Sequence, residues 1–294
     1  MRKILGGLWK IITLPFRAFI YLIKIPVRLI KRANAFLNDD LDDGSLPDAF
    51  ATSLKTPSAL LEHVDALRKH LLRMLLGLVV GIAISFIFTT QMVDYLSLPV
   101  GGIDSLKAID ITESVGVFMR VALFAGIALA SPYLAFELWL FVAPGLKPSA
   151  RKLGLIGIPL STLLLITGML FAYYFLLPSA LPFLLNFMGI ETIPRPSSYI
   201  NFVSGLLLWI GVAFEFPLVI FVLSLMGIAK PKFMAQQWKI AIIVIAIIAA
   251  LITPTVDPVN MALVMGPMII LYFLSIGLSY LASFSKKKSA ENKT

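Results

Sequence analysis

Six long apolar stretches, residues 71–93, 115–142, 153–177, 199–226, 238–252 and 261–284, restrict what this chain can fold into. Inside hydrocarbon every backbone N–H and C=O must find a partner within the protein, so stretches of this length close their hydrogen bonds as helices. Composition excludes a soluble domain, because 14% charged residues against 59% hydrophobic ones cannot cover a water-facing exterior. The expectation is an all-α membrane protein with six transmembrane helices. The fifth is short: its apolar core, 240–252, would rise about 20 Å as a helix against a hydrocarbon layer of about 30 Å. The bilayer must thin there, or Trp238 and Lys239 must snorkel.

Cations resist translocation, so their positions predict orientation. Arg68, Lys69 and Arg73 flank the first stretch, Lys147, Arg151 and Lys152 follow the second, Lys230, Lys232 and Lys239 follow the fourth, and Lys286, Lys287, Lys288 and Lys293 follow the sixth. The alternate connections hold little beyond Lys107 and Arg195. Both termini are expected in the cytoplasm, with the chain in the cell membrane. The net charge of +9 is then mainly a topology signal, with anionic lipid rather than nucleic acid as its counterpart.

Outside the six stretches the chain changes character. Lys3, Lys10, Arg17, Lys24 and Lys31 recur every seventh residue among apolar and aromatic ones, which places a cationic stripe on one side of a helix. Residues 1–37 therefore read as a basic amphipathic segment lying in the membrane interface, bent at Pro15 and Pro26, with a seventh span as the alternative. Residues 38–56, with Asp39, Asp40, Asp42 and Asp43, read as an acidic flexible linker, and 285–294 as a basic cytoplasmic tail. Prolines at 132, 144, 148, 159, 178, 217, 254 and 267 lie in or at the ends of the spans. Kinked helices and a concave bundle are the expectation for residues 57–284.

Glu215 stands near the middle of the fourth stretch, where a carboxylate costs at least about 2.5 kcal/mol to insert. It is expected to serve a polar contact to a partner helix or to cargo. Arg120 reads as a snorkelling residue at the outer end of the second span. Glu137, near the cytoplasmic end of that span, divides between a functional acid and a solvated helix terminus. The chain has no cysteine, and its two histidines, His63 and His70, lack the clustered partners of a metal site. No nucleophile with a base, paired acid and base, or phosphate-cradling loop is present in the sequence, so neither enzyme chemistry nor a cofactor is expected.

Four motifs carry a family resemblance. Glu62-His63-Val64-Asp65-Ala66-Leu67-Arg68-Lys69-His70-Leu71, Phe141-Val142-Ala143-Pro144-Gly145-Leu146, Gly211-Val212-Ala213-Phe214-Glu215-Phe216-Pro217 and Thr253-Pro254-Thr255-Val256-Asp257-Pro258 occur in order and with compatible spacing. Together they resemble TatC, the multispanning subunit of the twin-arginine protein translocase. The resemblance implies a glove-shaped six-helix bundle that binds the Arg-Arg motif of folded export substrates at its cytoplasmic face. It also implies a hetero-oligomer with single-span TatA and TatB type partners, driven by the proton gradient. In the resemblance Glu215 matches an acid within the membrane that meets partner or signal peptide, and Arg68, Pro144, Gly145, Pro217, Pro254 and Asp257 belong to structural motifs. The bland role for Asp257 is to cap the sixth helix.

The chain departs from the family at three acids: Ala66, Ala150 and Phe273 stand where glutamates are usual. Glu62, Asp65 and Glu137 are the candidates to supply the missing negative charge for signal-peptide binding, since guanidinium pairs with carboxylate in bidentate fashion. Two alternatives stay open, a divergent TatC-like paralogue without signal recognition and a proton- or ion-coupled transporter. The second usually shows repeated halves, which this sequence lacks.

Overall fold

The computed structural model describes residues 57–146, 148–186, 189, 192–252 and 258–291. The expected segments 1–37 and 38–56, Pro254 and Asp257 lie outside the described residues. The elements are α1 (Pro57–Ser85), α2 (Thr89–Ser97), α3 (Glu113–Val142), α4 (Pro148–Phe171), α5 (Leu177–Leu185), α6 (Pro196–Phe214), α7 (Phe216–Met226), α8 (Pro231–Gln236), α9 (Trp238–Ile252) and α10 (Pro258–Glu291). A wide π turn, Ala172–Leu176, joins α4 to α5. It shifts the hydrogen-bond register just before Pro178, which has no N–H to return. The last helix continues to Glu291, so part of the expected tail is helical.

Four helical runs are long and apolar enough to cross a membrane: Glu113–Val142, Gly154–Leu185, Pro196–Met226 and Asn260–Leu281. A fifth crossing arises if Val64–Ser85 and Thr89–Val100, bent by 75°, count as one. Helix α9 has 15 residues and spans about 22 Å.

The first stretch differs from its expected form. Rather than running unbroken over 71–93, the helix begins at Pro57, stops at Ser85 and turns sharply over residues 86–88, where no proline occurs. Hydroxyls and a tightened backbone make the break. Ile87 and Phe88 donate to Ile84 and Ser85 three residues back, Thr89 Oγ1 donates to the Ser85 carbonyl, and Ser85 Oγ reaches across to Ala122 O at 2.6 Å. Each side-chain bond substitutes for part of the helical ladder.

Small residues bring the helices together. A Cβ on Gly81 would lie 2.7 Å from Gly126 O, and one on Gly126 would lie 2.6 Å from Ile82 Cα, so α1 and α3 cross nearly backbone to backbone. Gly77, Gly81 and Ser85 on one helix face Ala122, Gly126 and Ala130 on the other, both at four-residue spacing. A second close crossing joins α4 to α6, where a Cβ on Gly168 would lie 2.9 Å from Gly211 Cα. The remaining order follows by packing: α3 against α4 and α6, α7 against α10, and α9 against α10. Paired contacts show α1 antiparallel to α3, α3 to α4, and α4 to α6. One end of the bundle, the basic end, gathers the cationic segments around Arg68, Arg151 and Lys230; the other carries residues 98–112 and 192–195.

Overpacking at the α1–α3 crossing should cost about 1–3 kcal/mol. Gly126→Ala is therefore expected to lower the thermal melting temperature in detergent. Gly116→Ala, on the same helix with nothing within 4 Å of the added carbon, should leave it unchanged or raised. Equal melting for the two variants would contradict the packing described.

Candidate functional site

Glu215 occupies the single residue between α6 and α7, and the local sequence explains the break. Pro217 has no N–H to return to Ala213, so α6 stops at Phe214 while Glu215 bonds back to Val212 O at 3.1 Å. The Gly168–Gly211 crossing brings α4 alongside. Ser161, two turns before Gly168 on α4 and itself buried, donates its hydroxyl to Glu215 Oε1 at 2.7 Å. The carboxyl is half-buried and has a polar partner within the bundle. Sequence alone located this acid but not its serine.

The second acid, Glu137, lies almost wholly buried at the basic end of α3. His70 Nδ1 on α1 lies 2.7 Å from its Oε2, Tyr133 donates its hydroxyl to Oε1 at 2.9 Å, and Arg73 Nη1 stands 4.0 Å away. Helical spacing assembles this clasp. His70, Arg73 and Gly77 share one face of α1, while Tyr133, Glu137 and Phe141 share the opposing face of α3. Gly77 matters because a Cβ there would fall 2.3 Å from Tyr133 Cδ1, within the space the ring fills. The solvated-terminus reading of Glu137 is therefore corrected: its carboxylate is enclosed by partners from two helices.

Asp65 behaves differently. It is exposed on α1 and pairs with Lys69 at 2.7 Å, a one-turn surface contact of small energetic weight. Arg68 is exposed, Ala66 is partly covered, and Glu62 lies within the α1 backbone with its side chain outside the described set. The structure thus brings Glu137 together with His70 and Arg73, and leaves Asp65 in a separate pair. Phe273 presents a half-exposed ring on α10, and Ala150 lies in the first turn of α4. Pro217 is fully buried behind Glu215.

The Phe141–Leu146 motif owes its shape to Arg151, a cation whose position in the sequence speaks only for topology. Ala143, Pro144 and Gly145 form a 3-10 turn, and Arg151 from α4 donates its Nε to Ala143 O at 3.0 Å and Leu146 O at 2.9 Å. Arg151 is 2% exposed. Its guanidinium satisfies carbonyls that the end of α3 leaves without intrahelical donors. The arginine is legible in the sequence; its carbonyl partners, five and eight residues earlier, are not.

At the opposite end Glu113 was also missed. Buried at the start of α3, it accepts hydrogen bonds from Ser197 N–H at 2.9 Å, from Ser197 Oγ and from Ile109 N–H at 3.1 Å, with Arg195 Nη2 at 3.4 Å. It therefore caps α6 from another helix. Nearby, hydrogen bonds from the Thr112 N–H and hydroxyl hold the Asp110 carboxyl below its ordinary pKa. Tyrosines finish α2: Tyr199 donates to Leu96 O at 2.8 Å, and Tyr173 donates to Tyr95 O at 2.7 Å. No group of three or more His, Asp or Glu among the described residues is arranged to hold a metal ion.

The sequence profile described as Sec-independent protein translocase protein (TatC) matches residues 62–267. The chain belongs to the TatC family. A TatC of Carboxydothermus hydrogenoformans is 35% identical over 235 residues, covering 79% of this chain and 96% of the relative. The TatCy protein of Bacillus subtilis is 34% identical over 236 residues, covering 79% and 92%. The crystal structure of the twin-arginine translocase receptor TatC superposes with a TM-score of 0.64 at 30% identity, covering 75% of this chain and 99% of that one. This TatC-family chain is thus a multi-pass membrane protein and a subunit of the Tat protein translocase, as its four motifs implied.

The Arg151 clamp yields a measurable expectation. Charge-assisted hydrogen bonds of this kind are worth about 1.5–3 kcal/mol each when lost. Arg151→Gln should lower the melting temperature and speed proteolysis within residues 143–150. Arg120→Gln, at an exposed position, should do neither. Equal protease sensitivity of the two variants would remove the clamp from the account.

Proposed function

We propose that this TatC-family subunit recognises twin-arginine signal peptides at its basic end and nucleates assembly of the export complex for folded proteins. In this reading the basic end faces the cytoplasm, both termini lie there, and the chain crosses the cell membrane six times, with the short α9 as the fifth crossing. Single-span subunits of the TatA and TatB type dock along the bundle as a hetero-oligomer, the proton gradient drives transport, and residues 1–37 engage anionic lipid.

The observation that supports the reading best is Glu137. Its enclosed carboxylate already lies 4.0 Å from one guanidinium, that of Arg73, which is itself more than half exposed. An incoming signal arginine takes that place by exchange, with little new desolvation of the acid. Asp65, whose surface pair with Lys69 is weak, offers a second carboxylate on the same helix as His70. Glu62 completes the acidic set in sequence.

Asp65→Ala combined with Glu137→Ala should weaken binding of an Arg-Arg signal peptide by about tenfold or more, a factor of ten corresponding to ~1.4 kcal/mol. Because Glu137 also holds His70 and Tyr133, Glu137→Gln provides the folded control. Unchanged peptide affinity in the double variant would sink the assignment. It would favour a divergent relative without signal recognition, a second reading supported by Ala66, Ala150 and the exposed Phe273 ring at the family's usual acid positions.

Glu215 serves the partner side of the same reading. With Ser161 on one carboxyl oxygen, it offers a hydrogen-bonding group to a neighbouring helix inside the membrane. Glu215→Gln should copurify single-span subunits as the unmodified chain does, whereas Glu215→Ala should lose them. Equal loss in both would assign the contact to charge.

A further inference from the structure

The cationic residues at the basic end are not evenly matched. Every contact within 4.0 Å between an acidic and a basic side chain among the described residues involves α1 or the start of α3: Asp65 with Lys69, Glu137 with His70 and Arg73, and Glu113 with Arg195. Residues 216–256, by contrast, contain Lys230, Lys232 and Lys239 and no acid or arginine. All three lysines are exposed, and none has a carboxylate within 4.0 Å among the described residues.

Apolar groups stand beside them. Ile228, Phe233 and Trp238 are 61%, 62% and 42% exposed in the same short turn, with Lys239 Nζ 5.9 Å from the Trp238 ring centroid. The turn is held in shape. Gly227 takes the left-handed conformation at φ 84° to end α7, and Tyr272 of α10 donates to Met234 O at 2.6 Å, fixing α8 across the last helix. Exposed lysines beside exposed apolar side chains, with Lys239 over the Trp238 ring, match the boundary between phosphate headgroups and acyl chains. The length of α9 fits this placement: about 22 Å of helix draws the headgroup layer toward Trp238 and Lys239.

We propose that the α7–α9 turn is a binding site for anionic phospholipid, with Lys230, Lys232 and Lys239 holding the headgroup phosphate and Ile228, Phe233 and Trp238 lying against the upper acyl chains. The site is separate from residues 1–37 and does not rest on the signal-peptide reading. It divides the basic end into an acid-bearing half at α1 and α3 and a lipid-coated half at α8 and α9. Phosphatidylglycerol, phosphatidylcholine and inorganic phosphate are the probes.

The full chain, purified in a neutral maltoside detergent, is titrated with each probe while lipid retention by native mass spectrometry and the melting temperature are recorded. Phosphatidylglycerol should be retained and should raise the melting temperature; phosphatidylcholine and inorganic phosphate should not. Replacing Lys230, Lys232 and Lys239 together by Gln should reduce phosphatidylglycerol retention at least fivefold, and replacing all three by Arg should preserve it. Should the Gln variant melt lower before lipid is added, Lys232→Gln alone carries the comparison. Retention unchanged by the Gln substitutions, or an equal response to phosphatidylcholine or to phosphate, overturns the site. So does lysine-dependent stability without lipid that disappears when Asp39, Asp40, Asp42 and Asp43 become Asn, which would make the acidic segment the occupant.

Discussion

Close approach of backbones at glycine holds this bundle together. Between apolar helices in lipid there is little hydrophobic gain, because acyl tails are as apolar as leucine, so association rests on packing and on interhelical hydrogen bonds. The Gly81–Gly126 and Gly168–Gly211 crossings supply the first, and Ser85 to Ala122 and Ser161 to Glu215 supply the second, one bond near each crossing. The geometry of both acids follows. Glu137 meets His70 because α1 lies flush on α3, and Glu215 meets Ser161 because α4 lies flush on α6.

The two acids show two ways of placing a carboxylate near or within a membrane. Glu137 is enclosed by an imidazole, a phenol and a nearby guanidinium from two helices, so removing the carboxylate strands the imidazole and the phenol together. Glu215 has one hydroxyl at its side and a helix break behind it. In the function proposed above, the first arrangement suits exchange of one cation for another, and the second suits a polar contact with an arriving helix.

Much of this was legible in the residues. Apolar length gave the helices, Glu215 stood out by its cost in hydrocarbon, and four motifs in register gave the family. What could not be read depends on pairs distant in sequence or on bonds from side chain to backbone. The bend at residues 86–88 comes from Ser85 and Thr89 hydroxyls and contains no proline, so a search for proline passes over it. Arg151 looked like a topology cation because nothing in its neighbours announces the carbonyls it binds. Glu113 reaches Ser197 across 84 residues, and only tertiary structure makes that a helix cap.

The 75° turn after Ser85 has a consequence for geometry across the bilayer. Beyond it, the nine residues of α2 run steeply across the axis of α1, with the Tyr95 and Leu96 carbonyls tied to tyrosines of the π turn and of α6. The rise of the first helix therefore ends where Ser85 stops it, and lengthening α2 would carry the chain across the axis of α1 and hardly any further along it.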